Sequence, residues 1–406
     1  MHLHLTNTLT KQKEVFTPED TDNVRMYNCG VTPYDYAHIG NARNAVAFDV
    51  LFRILRQIYT PENVTYVRNF TDVDDKIIAR AAEVNTTEKE LSQKFIQAYQ
   101  TDMAALGCLT PTHEPLVTEE IPAICTIVNQ LLANGYAYVT EAGDVNYDIT
   151  KKADYGKLSR KKLDELVAGV RIDEDDTKRN PGDFALWKAA KKGEPTWDLT
   201  LADGTILKGR PGWHIECSAM SAKYLGETFD IHTGGEDLQF PHHENEIAQS
   251  EGAANCGCGD KHKKHVNYWL HNAFITVGGK RMGKSLGNFT TVRDALDHYD
   301  GRAIRLWLLQ THYRKPVDFS QDALKASEKR LRRLHNALEN LDPAVKPNPD
   351  DFVKILKPLA DDMNTSKAIA QLDILRAAAT KGDTTEAKTA AATLKQGMNL
   401  LGLLSC

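Results

Sequence analysis

Long apolar runs are missing from this chain. No stretch reaches the about eighteen apolar residues that a membrane-crossing helix needs, and Met1 to Phe16 is polar and charged where a secretory signal would be apolar. A cytoplasmic protein without a membrane partner is therefore expected. Cysteine is scarce as well. The seven residues, at 29, 108, 125, 217, 256, 258 and 406, are an odd number scattered along the chain, unlike a disulfide framework. Any shared role for them points to metal binding. An excess of positive charge is also lacking. With a formal net charge of -5 there is no global attraction to nucleic acid. An RNA contact must then rest on local patches such as Lys157, Arg160, Lys161 and Lys162, or Lys325, Lys329, Arg330, Arg332 and Arg333. Most such runs are solvated helix faces. No internal repeat is evident.

What is present is enough to fold. A chain of 406 residues, 41% apolar and 26% charged, can bury a large core and divide into more than one domain. Val24 to Cys29 reads as extended, Asn41 to Tyr59 places Ala42, Ala45, Val46, Leu51, Ile54, Leu55 and Ile58 at helical spacing, and Val64 to Phe70 reads as extended again. That βαβ unit predicts a parallel sheet with ligands at the carboxyl ends of its strands, where Cys29 and Gly30 lie. From Thr118 to Pro211 the pattern changes to a helix, short strands around Ala137 to Ile149, and a stretch rich in Lys, Asp, Gly and Pro, read as an insertion. The alternation resumes with a helix over His214 to Leu225, a strand over Thr228 to His232, a helix over His242 to Glu251 and a strand over Asn272 to Val277. After Thr291 no strand is expected, and Leu324, Leu331, Leu334, Leu338 and Leu341 share a helical face. The expected fold is α/β: a Rossmann-like parallel-sheet domain split by an insertion and followed by an all-α bundle. Its predicted parts are residues 1–117, 118–210 (the insertion), 211–290, 291–341 and 342–406.

One motif misleads by its letters. Gly278, four residues, then Gly283-Lys284-Ser285 matches a phosphate loop. Such a loop needs a helix starting at the Lys-Ser pair, so that its amides face the phosphates. Leu286-Gly287-Asn288 intervenes instead, and glycine in a first turn costs about 1 kcal/mol relative to alanine. No further βα units follow to build the sheet.

His38-Ile39-Gly40-Asn41 stands between the first strand and the first helix, where imidazole and backbone donors can grip a polyphosphate. This segment resembles the HIGH signature of class I aminoacyl-tRNA synthetases, and Arg281-Met282-Gly283-Lys284-Ser285 resembles their KMSKS signature. The glycine in place of the first serine of KMSKS accounts for the accidental phosphate loop. Asn41 replaces the second histidine and Arg281 the first lysine; Asn keeps a donor and Arg the charge. Retained activity with altered ATP affinity is expected.

The residues also offer metal ligands. His242 and Glu246, four apart on a helix, project from one face, and with Cys29 and Cys217 they make a donor set that suits zinc. Cys256, Cys258, His262 and His265 are a rival cluster in a segment that reads as an exposed loop, and residue chemistry alone leaves several choices open. Cys29, the run Gly209-Arg210-Pro211-Gly212-Trp213-His214-Ile215-Glu216-Cys217, and Pro241-His242-His243-Glu244-Asn245-Glu246 resemble the zinc-binding segments of the cysteinyl-tRNA synthetase family. The likeness extends from about residue 5 to 320 and includes Tyr66 to Lys76 and Lys178-Arg179-Asn180-Pro181.

The resemblance implies one Zn²⁺ per chain on Cys29, Cys217, His242 and Glu246. It implies catalytic roles for His38, Asn41, Arg281 and Lys284, and substrate contacts from Gly40, Thr71, Trp213, His232, Asp237 and Ser285. Thr71, Trp213 and His232 would line a cysteine pocket and Asp237 would hold the ribose. The implied partners are ATP with Mg²⁺, L-cysteine and tRNA(Cys), handled by a monomer. The alternative acceptor is an amino sugar, as in the mycothiol-pathway ligases. Family members usually continue into an anticodon-reading domain. Here everything after Asp342 reads as a short helical bundle, so weak dependence on the anticodon is expected.

Overall fold

The computed structural model describes residues 1–160, 178–254, 264–283 and 287–404. Two extended segments, β1 (Val24–Val31) and β2 (Val64–Phe70), lie parallel and are joined by helix α1 (Ile39–Tyr59). Parallel strands require such a crossover, and the consecutive buried residues Met26–Cys29 and Tyr66–Phe70 show a sheet covered on both faces. α1 starts at His38, whose Nδ1 accepts from the Asn41 amide at 3.3 Å, while the Asn41 side-chain oxygen accepts from the His38 amide at 3.0 Å. This reciprocal cap satisfies amides that a helix start leaves unpaired.

Helices α2 (Asp75–Glu83), α3 (Glu88–Ala105) and α4 (Ile121–Ala133) follow. A separate antiparallel sheet then orders its strands Ala137–Val139, Val145–Tyr147, Phe184–Ala189, Ile206–Pro211 and Trp197–Thr200. The parallel arrangement resumes with α5 (Trp213–Leu225), β3 (Phe229–Gly235), α6 (Glu244–Ala253) and β4 (Val266–Asn272). The order across the main sheet is β4-β3-β1-β2, all parallel. β1 leads outward to β2 on one side and β3 to β4 on the other. Their neighbouring carboxyl ends therefore diverge and leave a crevice, the usual binding place in an open α/β sheet.

The expected strand over Asn272 to Val277 is two elements. β4 ends at Asn272, and Ile275–Val277 joins a small sheet with Lys280–Arg281 and Val317–Asp318. That last strand lies beyond Thr291, where none was expected. The expected helix over His242 to Glu251 begins at Glu244, preceded by a wide turn over Gln239–His243. Phe240 is non-helical there (φ -144°, ψ 133°), as its position before Pro241 dictates. Gly278 and Gly279, with φ of 56° and 76°, close the tight turn between Ile275–Val277 and Lys280–Arg281. A hairpin thus occupies the first half of the apparent phosphate loop.

The remaining chain is largely helical: α7 (Gly301–Leu309), α8 (Gln321–Asn336), α9 (Pro349–Leu359), α10 (Thr365–Ala379) and α11 (Thr385–Leu400). Leu324, Leu331 and Leu334 are buried on α8; Leu338 and Leu341 lie past its end and are half-buried. None of the described helices is long and apolar enough to cross a membrane.

One apolar core runs from Phe48 and Leu51 of α1 through Leu306 and Leu308 of α7 to Leu394, Leu401 and Leu403. At about 1.5–3 kcal/mol for each fully buried large side chain, it ties the terminal helices to the sheet. A buried ion pair crosses this core: Asp49 of α1 bonds Arg305 of α7 and accepts from Arg53 Nε at 2.8 Å. Arg305 also donates to the Leu401 carbonyl at 2.6 Å. Burial raises the Asp49 carboxyl, but Arg305, Arg53 and the Leu109 amide outweigh it and hold the group below the usual carboxylate value.

Asp49→Ala would strand the Arg305 charge, and the expected cost is about 3–5 kcal/mol, read as a lower urea midpoint. A depressed carboxyl stabilises the fold above its unfolded pKa of about 3.9 and loses that contribution as pH falls through the folded value. Acid unfolding of the wild type should include this step, and Asp49→Ala should abolish it.

Candidate active site and metal centre

Four groups expected to act together converge behind the carboxyl end of β1. Cys29 Sγ lies 3.7 Å from Cys217 Sγ and 3.5 Å from Glu246 Oε1, and His242 Nε2 lies 3.1 Å from the same oxygen. Their ligand atoms are all within 4.8 Å of one another, and all four residues are buried. Topology makes this meeting. β1 delivers Cys29, α5 delivers Cys217, the wide turn before α6 delivers His242, and the first turn of α6 delivers Glu246.

Burial pushes the Cys29 thiol and the Glu246 carboxyl well up and the His242 ring well down, all toward neutrality. Glu246 Oε2 has no hydrogen-bond partner among the described residues. Two sulfurs, an imidazole and an unsatisfied buried carboxylate oxygen fit a divalent metal ion, whose charge would favour the ionised ligands. His214 supports the set from behind, its Nδ1 at 2.9 Å from His242 Nδ1. Such an outer partner fixes which imidazole nitrogen faces the centre.

Two neighbours enlarge the cluster. His243 Nε2 and His232 Nε2 lie 3.3 and 3.4 Å from Cys29 Sγ, so Cys29, His232, His243 and Glu246 form a second possible donor set. His243 lies in the segment that resembles a zinc-binding one but is not among the four ligands that the resemblance implies. The signal available was its three-residue spacing from Glu246. Its orientation comes from a relay invisible in sequence, His243 Nδ1 to His271 Nε2 at 2.8 Å and His271 Nδ1 to Thr8 Oγ1 at 2.9 Å. His232 is fully buried and stacks on Trp269 with ring centroids 4.5 Å apart. Of the rival cluster, Cys256, Cys258 and His262 lie outside the described residues; His265 is buried, with Nε2 3.3 Å from Ser250 Oγ.

Cys29 also opens onto a cavity of about 340 Å³ at the switch of the sheet, bordered by His38, Asn41, Trp213, Asp237 and Arg281. Trp213 is 40% exposed and lies against His242, with centroids 4.4 Å apart. Asp237 Oδ2 pairs with Arg281 Nη2 at 3.0 Å, and the Arg281 guanidinium lies 3.9 Å from the Phe274 ring centroid. A Cβ on Gly40 would sit 2.8 Å from the His38 ring, so glycine lets the imidazole lie over the helix start. Because His38 Nδ1 accepts from Asn41, the neutral ring carries its proton on Nε2. The Asn41 side-chain oxygen is thereby engaged by the His38 amide.

Thr71 does not border this cavity; it is buried beyond β2, and its hydroxyl donates to Glu216 Oε2 at 3.0 Å. Burial pushes that Glu216 carboxyl well up. Gly30 brings β1 and β2 together at the cavity: its amide donates to Asn69 Oδ1 at 2.9 Å, and a Cβ there would fall 1.6 Å from the Asn69 carbonyl oxygen. Lys284 and Ser285 lie outside the described residues.

Comparison with known proteins gives a consistent result. A family model described as the tRNA synthetases class I (C) catalytic domain matches residues 15–329. A cysteine–tRNA ligase of Neisseria meningitidis serogroup B is 51% identical over 380 residues, covering 90% of this chain and 79% of that protein. One from Laribacter hongkongensis is 48% identical over 406 residues, covering 99% and 85%. Among solved structures, the Mycobacterium tuberculosis methionyl-tRNA synthetase in complex with methionyl-adenylate shares the fold, with TM-score 0.63 and 13% identity over 94% of this chain and 90% of that one. The LeuRS-tRNA-LeuAMS complex of Agrobacterium radiobacter K84 superposes with TM-score 0.67 and 12% identity, covering 96% and 84%.

Proposed function

Because this chain belongs to the cysteine–tRNA ligase family of the class I synthetases, we propose that it activates L-cysteine with ATP and transfers it to tRNA(Cys) at the carboxyl ends of β1 and β3. In the first step the cysteine carboxylate oxygen bonds the α-phosphorus of ATP, and the bond from that phosphorus to the bridging oxygen breaks, releasing pyrophosphate. In the second a ribose hydroxyl at the tRNA terminus attacks the adenylate carbonyl, and AMP leaves. The observation that carries this reading is one cavity lined both by Cys29 of the buried thiol cluster and by His38, Gly40 and Asn41 at the capped start of α1.

His38 donates from Nε2 toward the phosphates, and the family resemblance gives Lys284 the task of offsetting charge on the departing pyrophosphate. Arg281, held by Asp237, adds a second cation to the rim. Asp237 accepts from the ribose hydroxyls, and Gly40 lets the nucleotide approach the start of α1. The resemblance assigns Ser285 to the nucleotide as well. Trp213 covers the cysteine side chain, while Thr71 and His232 shape the pocket from behind, Thr71 through Glu216. Cys29, Cys217, His242 and Glu246 would hold one zinc ion, which supplies a soft Lewis acid that favours the substrate's thiolate over the hydroxyl of serine. Mg²⁺ accompanies ATP, and the protein is placed in the cytoplasm as a monomer, apart from membranes.

Transfer of labelled cysteine to tRNA(Cys) is the expected outcome in an aminoacylation assay. An enzyme that forms the adenylate but charges no tRNA, and instead couples cysteine to an amino sugar, would contradict the proposal.

A further inference from the structure

The cavity has a second side that the activation step does not use. Its ATP side is built by residues that follow β3 and β4, including Asp237 and Phe274. Its other side belongs to the β2 edge of the sheet: Tyr34 and Tyr36 from the loop before His38, Lys76 at the start of α2, and Phe95 of α3. The sheet order puts these two sides across the crevice from each other.

This second side combines aromatic faces with positive charge. Lys76 Nζ lies 5.6 Å from the Tyr34 ring centroid, and Lys76 is exposed and forms no ion pair among the described residues. Tyr36 meets Phe95 edge-on at 5.1 Å and carries the Arg293 guanidinium 4.8 Å from its centroid. Both tyrosines are half-buried, anchored on the small apolar cluster of Ile77, Ala81, Leu91 and Phe95. Aromatic rings held by packing, beside a cation, are the chemistry that takes up single-stranded nucleotides: the base stacks and the phosphate meets the charge.

A tRNA terminus must reach the adenylate carbonyl while the adenosine occupies the β3 side. We propose that Tyr34, Tyr36, Phe95 and Lys76 form a subsite for one unpaired nucleotide of the acceptor end, its base against the tyrosines and its phosphate at Lys76. This rests on the reading of the chain as a tRNA-charging enzyme.

Two variants of the full chain test it, Lys76→Gln and Tyr34→Leu, each assayed for cysteine-dependent ATP–pyrophosphate exchange and for tRNA(Cys) charging. Exchange should stay within about twofold while charging kcat/KM falls about tenfold, the scale of one lost base or phosphate contact. The salt slope of tRNA binding should become shallower by about 0.7 for Lys76→Gln and stay unchanged for Tyr34→Leu. Equal losses in both assays would overturn the subsite by placing these residues in the adenylate pocket, and no loss in either would reduce them to packing. A wild type that exchanges but charges no tRNA would overturn the reading beneath it, independently of the variants.

Discussion

Cys217→Ser is expected to abolish binding of the zinc ion proposed for this cluster and to lower cysteine-dependent exchange about 10²-fold or more. Losing an outer partner of a metal ligand already costs about 10- to 100-fold in affinity, and Cys217 would be a ligand itself. A serine hydroxyl is harder than a thiolate and stays protonated at neutral pH, so it cannot replace the soft anionic donor. Metal content per chain, with the urea midpoint as a check on folding, reads the result. Cys258→Ser, in the rival cluster, should keep the metal. The reverse pattern, metal kept by Cys217→Ser and lost by Cys258→Ser, would move the site to the segment 256–265.

The second large effect concerns the phosphates. Lys284→Ala should lower kcat for exchange about 10²- to 10³-fold, the cost of removing one donor aimed at developing charge. His38→Asn should do the same with little loss of stability, because asparagine caps a helix as well as most residues do while lacking the imidazole. His38→Ala would mix both effects, since it also removes the cap on the Asn41 amide at 3.3 Å and is expected to cost about 0.5–2 kcal/mol of stability. Unchanged exchange in Lys284→Ala would remove the segment 281–285 from the mechanism. ATP hydrolysis without any amino acid would favour a phosphate-loop enzyme.

The first βαβ unit was legible because its periods are clean: β1, α1 and β2 fall within a few residues of the segments read from sequence. The antiparallel sheet was only partly legible. Its strands are short, and in Ile206–Pro211 the exposed Ile206 and the buried Arg210 reverse the pattern that a half-buried strand should show. Its turns announced themselves better than its strands, since Gly193 and Gly204 adopt φ of 88° and 86°. The sequence pattern does not mark β4, because Asn267 and Tyr268 interrupt its apolar run and the segment before it is charged. Within the candidate site only the His242 and Glu246 spacing could be read locally. Cys29 and Cys217 stand 188 residues apart, and nothing in the spacing of one announces the other. The resemblance supplied that pairing, and the order of strands supplies its physical cause. The outer partners His214 and His271, and the second neighbour His243, depend on packing that no sequence period encodes.

The buried thiol cluster is proposed to select cysteine for activation by ATP. Pyrophosphate exchange measured with each amino acid in turn tests this most directly, with cysteine and serine as the decisive pair. Exchange with cysteine, and a kcat/KM for serine lower by about 10⁴-fold or more, is the predicted result, the scale by which a site built for one polar group rejects its analogue. Comparable exchange with serine, or exchange that persists with cysteine once the metal has been removed, would contradict it.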